Sequence, residues 1–225
     1  MTRWTVGDVM TTPVVAVREE APFREIVDLL ETYKVSGVPV VDRGNLVVGV
    51  VSERDLLARM EFADGAERPR RFERRRARLA REKAGAETAR DLMTSPPVTV
   101  LTGTPVTAAA KLMTSTGVKR LPVVNLAGLL VGIVTRSDLL KVFLRPDAEI
   151  RADVWQTLRQ LPVAAMGQVD VLVSHGVVTL AGEVEHRRTA EAVVRLAQRV
   201  DGVVDVVDRV TYWHDDLAET MAALP

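Results

Sequence analysis

Two short stretches of this chain place a hydroxyl three residues before a carboxylate: Ser52-Glu53-Arg54-Asp55 and Thr135-Arg136-Ser137-Asp138. Each follows an apolar run, Gly49-Val50-Val51 or Gly132-Ile133-Val134, and so marks a strand handing over to a helix. A helix N-terminus carries unpaired backbone N–H groups and the positive end of the helix dipole, which suit an anion such as phosphate. The same spacing is also an ordinary capping box, in which hydroxyl and carboxylate satisfy nearby backbone groups. Both readings stay open from these residues alone. Other reactive groups are sparse. His175, His186 and His214 are scattered, with no metal-ligand spacing. There is no nucleophile elbow, no phosphate-binding P-loop and no dinucleotide glycine motif, and Thr102-Gly103-Thr104 is a loop before a helix. The chain has no cysteine, which removes disulfides, thiol catalysis and thiolate metal sites. With no plausible nucleophile–base pair, the reading is a non-catalytic protein without a metal site.

The two stretches lie 83 residues apart, and the elements that must position them repeat at that offset. Asp8-Val9-Met10 falls on Asp91-Leu92-Met93, Val38-Pro39-Val40-Val41 on Leu121-Pro122-Val123-Val124, and Gly49 on Gly132, without a gap. Such self-similarity is a fold-level signal. Within the first copy, Thr5-x-x-Asp8 spacing starts a short helical turn, which Pro13 stops. Residues 14–17 read as a short strand. Phe23, Ile26, Val27 and Leu30 form one helical face, matched by Val106, Ala109, Ala110 and Met113. Residues 38–41 read as a strand that Pro39 keeps short or at an edge. Asp42-Arg43-Gly44-Asn45 is a turn, and residues 46–51 read as a strand buried on both faces. A final helix carries Leu56, Leu57 and Met60. One copy is too small to bury its own apolar faces, so two packed together are the expected domain.

These residues resemble a tandem CBS-domain pair, the Bateman module, over about residues 5–60 and 89–145. The resemblance implies an α/β (α+β) fold in which two β-α-β-β-α repeats make one pseudo-symmetric module with two clefts for adenosine ligands. It implies that Asp55 and Asp138 accept hydrogen bonds from ribose hydroxyls. Ser52 with Arg54, and Thr135 with Arg136, would face phosphate. Backbone near Val38 and Leu121, and around Thr12, Val14, Pro97 and Val98, would frame the base. Lys119 and Arg120 stand where the first copy has Ser36 and Gly37, and Arg136 stands at the place of Glu53. The second motif thus concentrates positive charge, and the cleft of Asp138 is expected to hold a polyphosphate more tightly. The plainer alternative is that Lys119 and Arg120 extend into solvent.

Residues 61–88 have a different texture, with Arg68, Arg70, Arg71, Arg74, Arg75, Arg76, Arg78 and Arg81 crowded among glutamates. The stretch reads as a solvated helical linker; sharper readings are an anionic-surface contact or a sensor of bound phosphate. Few aromatics accompany it, so nucleic acid is not an expected partner, and any contact would be to phosphates. From residue 147 the pattern becomes helix, strand, strand, helix, strand. Residues 147–213 resemble a BON domain through Asp170-Val171-Leu172-Val173, His175-Gly176-Val177-Val178 and Val200-Asp201-Gly202-Val203, with residues 214–225 as a tail. That resemblance implies attachment to phospholipid surfaces or to other proteins.

The formal net charge is zero, so the whole molecule is no generic polyanion binder. Neither a signal-peptide core nor an apolar run near the roughly 20 residues of a membrane span is present. The expectation is a cytoplasmic protein, peripheral to the inner membrane face if it meets lipid. The reading is a regulatory protein with no required cofactor, whose CBS pair senses AMP, ADP or ATP and whose BON domain reports to lipid or protein. CBS resemblance also implies a homodimer through helical faces. The second reading is a ligand-free dimeric adaptor, with the arginine-rich loop touching nucleic acid or anionic lipid.

Overall fold

The computed structural model describes residues 3–61, 85–162 and 167–216; the arginine-rich stretch at 62–84 and the tail from 217 lie outside the described residues. The chain divides into two compact units. One is Val6–Asp138; the other joins the residues before Val6 to the chain from Leu139 onward.

In the first unit the repeat is explicit. The first copy runs α1 (Val6–Val9), β1 (Val17–Arg18), α2 (Phe23–Tyr33), β2 (Gly37–Val41), β3 (Val47–Ser52) and α3 (Glu53–Glu61). The second runs α4 (Ala89–Leu92), β4 (Val100–Leu101), α5 (Val106–Thr116), β5 (Arg120–Val124), β6 (Leu130–Thr135) and α6 (Arg136–Leu139). Each copy makes one three-stranded sheet, ordered β1-β2-β3 and β4-β5-β6, with a parallel first pair and an antiparallel second.

Two expectations about these strands need correction. Pro39 sits in β2, which is central in its sheet and not at an edge. The proline is tolerated because β1 pairs only with Val40 and Val41, so no ladder bond on that side is asked of Pro39. Strand β3 is an edge strand that alternates, burying Gly49 and Val51 and leaving its other positions half-exposed. Its apolar composition is not two-sided burial. The helical faces are also narrower than their pattern: Ile26 and Leu30 are buried, as are Val106, Ala109 and Met113, but Val27 and Ala110 face outward.

The opening turn of each copy packs on the sheet of the other. Thr94 and Val50 exchange backbone hydrogen bonds of 2.9 and 3.2 Å, and Thr11 and Ile133 exchange bonds of 2.8 and 3.2 Å. These pairs are related by the 83-residue offset. Ala89 and Leu92 of α4 belong to the core formed by Val17, Ile26, Leu30, Val38, Val40 and Val51. The Met93 side chain lies over Gly49, and Met10 over Gly132, where a Cβ would approach sulfur to 2.4 and 2.7 Å. Thr88 and Asp91 close a capping box that fixes the start of α4. The β2–β3 and β5–β6 hairpins also meet, at the bridge Leu46↔Leu129.

In the second unit, α7 (Asp147–Leu158), β7 (Gln168–Ser174), β8 (Val177–His186), α8 (Arg187–Ala197) and β9 (Asp205–His214) give a sheet ordered β7-β8-β9. Ile150, Val154 and Leu158 of α7 and Ala190, Val193 and Ala197 of α8 bury one face of that sheet. His175 and Gly176 both have positive φ, 51° and 76°, as a two-residue hairpin turn requires. Their N–H groups donate to the Asp147 carboxylate at 2.8 Å each, and these bonds hold its pKa below the usual carboxylate value. The N-terminal residues join this unit: the Trp4 N–H donates to Asp201 at 2.8 Å, and the Arg145 guanidinium stacks 5.5 Å from the Trp4 ring. Arg145 also donates to Asp153 at 2.7 Å and to the Asp201 carbonyl.

The close seat of Met93 on Gly49 makes a test of the exchange. Gly49→Ala should destabilise the chain by about 1–3 kcal/mol through overpacking. Combining it with Met93→Ala should cost less than the sum of the single changes, because the clash disappears. Urea unfolding of the three variants measures this.

Candidate functional site

Both hydroxyl–carboxylate stretches stand where a strand ends and a helix begins. Ser52 closes β3, and its N–H and Oγ donate to Asp55 Oδ2 at 2.9 and 2.7 Å. Thr135 closes β6, and its N–H and Oγ1 donate to Asp138 Oδ2 at 2.9 and 2.6 Å. The capping reading is therefore realised in both copies. It leaves a carboxylate with further acceptor capacity, because two oxygens offer about four lone-pair positions. The copies differ in access: Asp138 is 8% exposed, whereas Asp55 is half-buried.

Asp55 opens onto a cavity of about 590 Å³, within the 300–1,000 Å³ range usual for small-molecule sites. Three pieces of chain build it. The β3–α3 junction brings Val50, Ser52, Glu53, Arg54 and Asp55. The segment after the exchanged α4 brings Thr94, Pro96, Pro97 and Val98. The approach to β5 brings Gly117, Val118, Lys119 and Arg120, and Ser36 completes the wall. Prolines and valines give flat apolar contact suited to a planar base, while three cations and the carboxylates of Glu53 and Asp55 gather at the helix N-terminus.

Of the residues singled out from sequence, Ser52, Arg54, Asp55, Pro97, Val98, Lys119 and Arg120 line this cavity. Thr135, Arg136 and Asp138 meet at the β6–α6 junction, where Arg136 donates to the Val118 carbonyl at 3.2 Å. Val38 and Leu121 are core residues, paired in register with Val51 and Val134. Thr12 is exposed and Val14 half-buried, between α1 and β1.

The expected charge asymmetry is corrected. Lys119 and Arg120 line the cavity that holds Asp55, so the cations of the second copy serve the carboxylate of the first. An 83-residue register identifies counterparts, but it does not say which copy's loop faces which helix. For the same reason Ser36, Glu53 and Thr94 escaped the sequence reading. Arg120 is the best-anchored cation there. Its Nη1 donates to the Gly37 carbonyl at 2.7 Å and its Nη2 to Ser36 Oγ. Burial pulls its pKa below the usual arginine value, with Glu53 opposing. It remains a cation at any ordinary pH. A Cβ on Gly37 would lie 2.6 Å from that Nη1, so a glycine is what admits the guanidinium.

Comparison with known proteins follows this division. The CBS-domain profile matches residues 6–61 and 89–145, and the BON-domain profile matches residues 146–212. The chain is 34% identical over 155 residues to the chloroplastic CBS domain-containing protein CBSX2 of Arabidopsis thaliana, covering 63% of this chain and 64% of that protein. A CBS domain-containing protein of Dictyostelium discoideum is 35% identical over 116 residues, covering 52% of this chain and 74% of its own length. Inosine-5'-monophosphate dehydrogenase of Helicobacter pylori is 30% identical over 184 residues, but this chain spans only 33% of that enzyme. A crystal structure of CBSX2 in complex with AMP superposes with a TM-score of 0.55 and 34% identity, over 63% of this chain and 97% of that one.

The caps have a cost that does not depend on any ligand. Ser52→Ala and Thr135→Ala should each destabilise the protein by about 0.5–2 kcal/mol, the usual loss of a helix cap. Urea unfolding without nucleotide measures it.

Proposed function

The chain belongs to the CBS-domain family, with a BON domain after its CBS pair, and from that premise we propose a non-catalytic regulatory protein that binds an adenine nucleotide in the CBS pair. The observation that carries the reading is the cavity beside Asp55, where a ribose acceptor, three cations and a proline-valine wall converge. The AMP bound by CBSX2 supports the ligand class. In this reading the nucleoside base lies against Pro97 and Val98. Asp55 accepts from the ribose hydroxyls, and Arg54, Lys119 and Arg120 meet the phosphates beside the α3 N-terminus. The second cleft, at Thr135, Arg136 and Asp138, uses Thr12 and Val14 in the corresponding roles. The BON domain then attaches the protein to membrane phospholipid or to a protein partner.

A second reading keeps the clefts as structure and makes the protein a dimeric adaptor. It draws on the caps, since Asp55 and Asp138 are already engaged by Ser52 and Thr135. Both readings use self-association. The helical segment ending each copy leaves a large apolar side chain outside, Leu57 at 52% exposure and its counterpart Leu140 at 60%.

Two measurements separate these readings. AMP, ADP and ATP should raise the melting temperature, because a ligand at 100 times its Kd stabilises the folded state by about 2.7 kcal/mol. Asp55→Ala should weaken that binding about ten-fold or more, through the loss of charge-assisted hydrogen bonds to ribose. No shift with any nucleotide would leave the adaptor standing. For the dimer, Leu57→Glu with Leu140→Glu should convert the protein to a monomer in light scattering while its melting profile stays cooperative.

A further inference from the structure

An acid stands among the cations of the Asp55 cavity, and the helix cap does not use it. Arg54, Lys119 and Arg120 bring three positive charges to the wall, and Glu53 and Asp55 bring two negative ones. Asp55 takes the capping bonds from Ser52, without the Glu53 carboxylate. The second copy shows that the fold does not ask for an acid at this place. Arg136 holds the corresponding position at the start of α6, and Thr135 makes the same bonds to Asp138. The backbone fixes where Glu53 stands. Its N–H donates to the Ser36 carbonyl at 3.2 Å, while the Ser36 hydroxyl accepts from Arg120 Nη2. One serine thus ties the acid to the best-anchored cation, and the Glu53 charge favours the protonated guanidinium. Glu53 is exposed and lines the cavity at its rim, whereas Arg120 is half-buried.

We infer that Glu53 is a specificity-determining residue that limits this cavity to a nucleoside monophosphate and turns longer polyphosphates away. The inference rests on the nucleotide reading above, in which phosphate meets Arg54, Lys119 and Arg120. A single phosphate carries a charge of about −1.5 to −2 at neutral pH. The three cations answer it, one of them held by Gly37 and Ser36. Each further phosphate adds negative charge and lies farther from the ribose, toward the rim where Glu53 stands. Like charges in a partly enclosed cleft repel more strongly than in open water, and such repulsion is a general means of refusing the wrong ligand. Adenosine offers Glu53 no charge to oppose.

The test is calorimetry on the full chain with adenosine, AMP and ATP in metal-free buffer. The wild type should bind AMP more tightly than ATP. Glu53→Gln keeps the shape and removes the charge. It should raise ATP affinity about five-fold or more, change AMP affinity about two-fold or less, and leave adenosine unaltered. Glu53→Asp should keep the wild-type order, because it keeps the charge. Adding Asp55→Ala to Glu53→Gln should lower ATP affinity about ten-fold or more, which keeps the effect in this cavity. A cooperative melting profile checks that each variant folds. If Glu53→Gln does not fold, Glu53→Arg decides, since the second copy carries arginine there. Magnesium should narrow the preference for AMP by neutralising part of the polyphosphate. Tighter ATP than AMP binding by the wild type, equal gains for both nucleotides, or no gain at all would overturn the inference while leaving nucleotide binding intact. So would a magnesium-dependent ATP affinity that Glu53→Gln abolishes, since the carboxylate would then be a metal ligand. If neither nucleotide nor adenosine binds the wild type, the nucleotide reading itself falls, and the specificity with it.

Discussion

The structure depends on an exchange between its two copies. Each opening turn leaves its own repeat and hydrogen-bonds the sheet edge of the other, through Thr94 to Val50 and Thr11 to Ile133. Both β3 and β6 are outer strands of their three-stranded sheets, and an unpaired strand edge is exposed to unwanted pairing. The exchange covers both edges at once. It also explains Gly49 and Gly132, whose missing side chains make room for Met93 and Met10. Ala89 and Leu92 show the energetic side, since they are fully buried in a core built mainly from the first repeat. Half of the module would expose that core, so duplication is a condition of folding here.

The same exchange makes the cavity composite. Pro96, Pro97 and Val98 follow directly from the crossing turn, and they face Ser52 and Asp55 because Thr94 is tied to Val50. A ligand there touches both copies, so occupancy is sensitive to how the copies pack. The Asp55 and Asp138 carboxylates cap their helices, and the capping bonds hold each in one rotamer.

Much of this was legible in the residues. The 83-residue register gave the repeated order of elements, because substitutions within each core kept apolar character at fixed positions. The strand-strand order around His175-Gly176 was legible, and the structure joins the two strands there by a turn with two positive φ angles. Helix faces were legible at Ile26, Leu30, Val106, Ala109 and Met113, all buried. Other features were not. Pro39 argued for a strand that is short or at an edge, and only the two-residue length of β1 shows why a central strand accepts it. Residues 14–17 looked like a strand, but pairing with β2 begins at Val17. Lys119 and Arg120 were assigned to the wrong carboxylate, since local sequence carries no record of which loop crosses to which sheet. The role of Trp4 was likewise hidden, because its partners Arg145 and Asp201 are distant in the chain.

Those last contacts have a topological consequence. The chain starts in the unit that holds the BON domain, departs at Val6 and returns at Leu139. The CBS module is thus spliced into the unit that holds the BON domain, joined to it by two covalent connections instead of one.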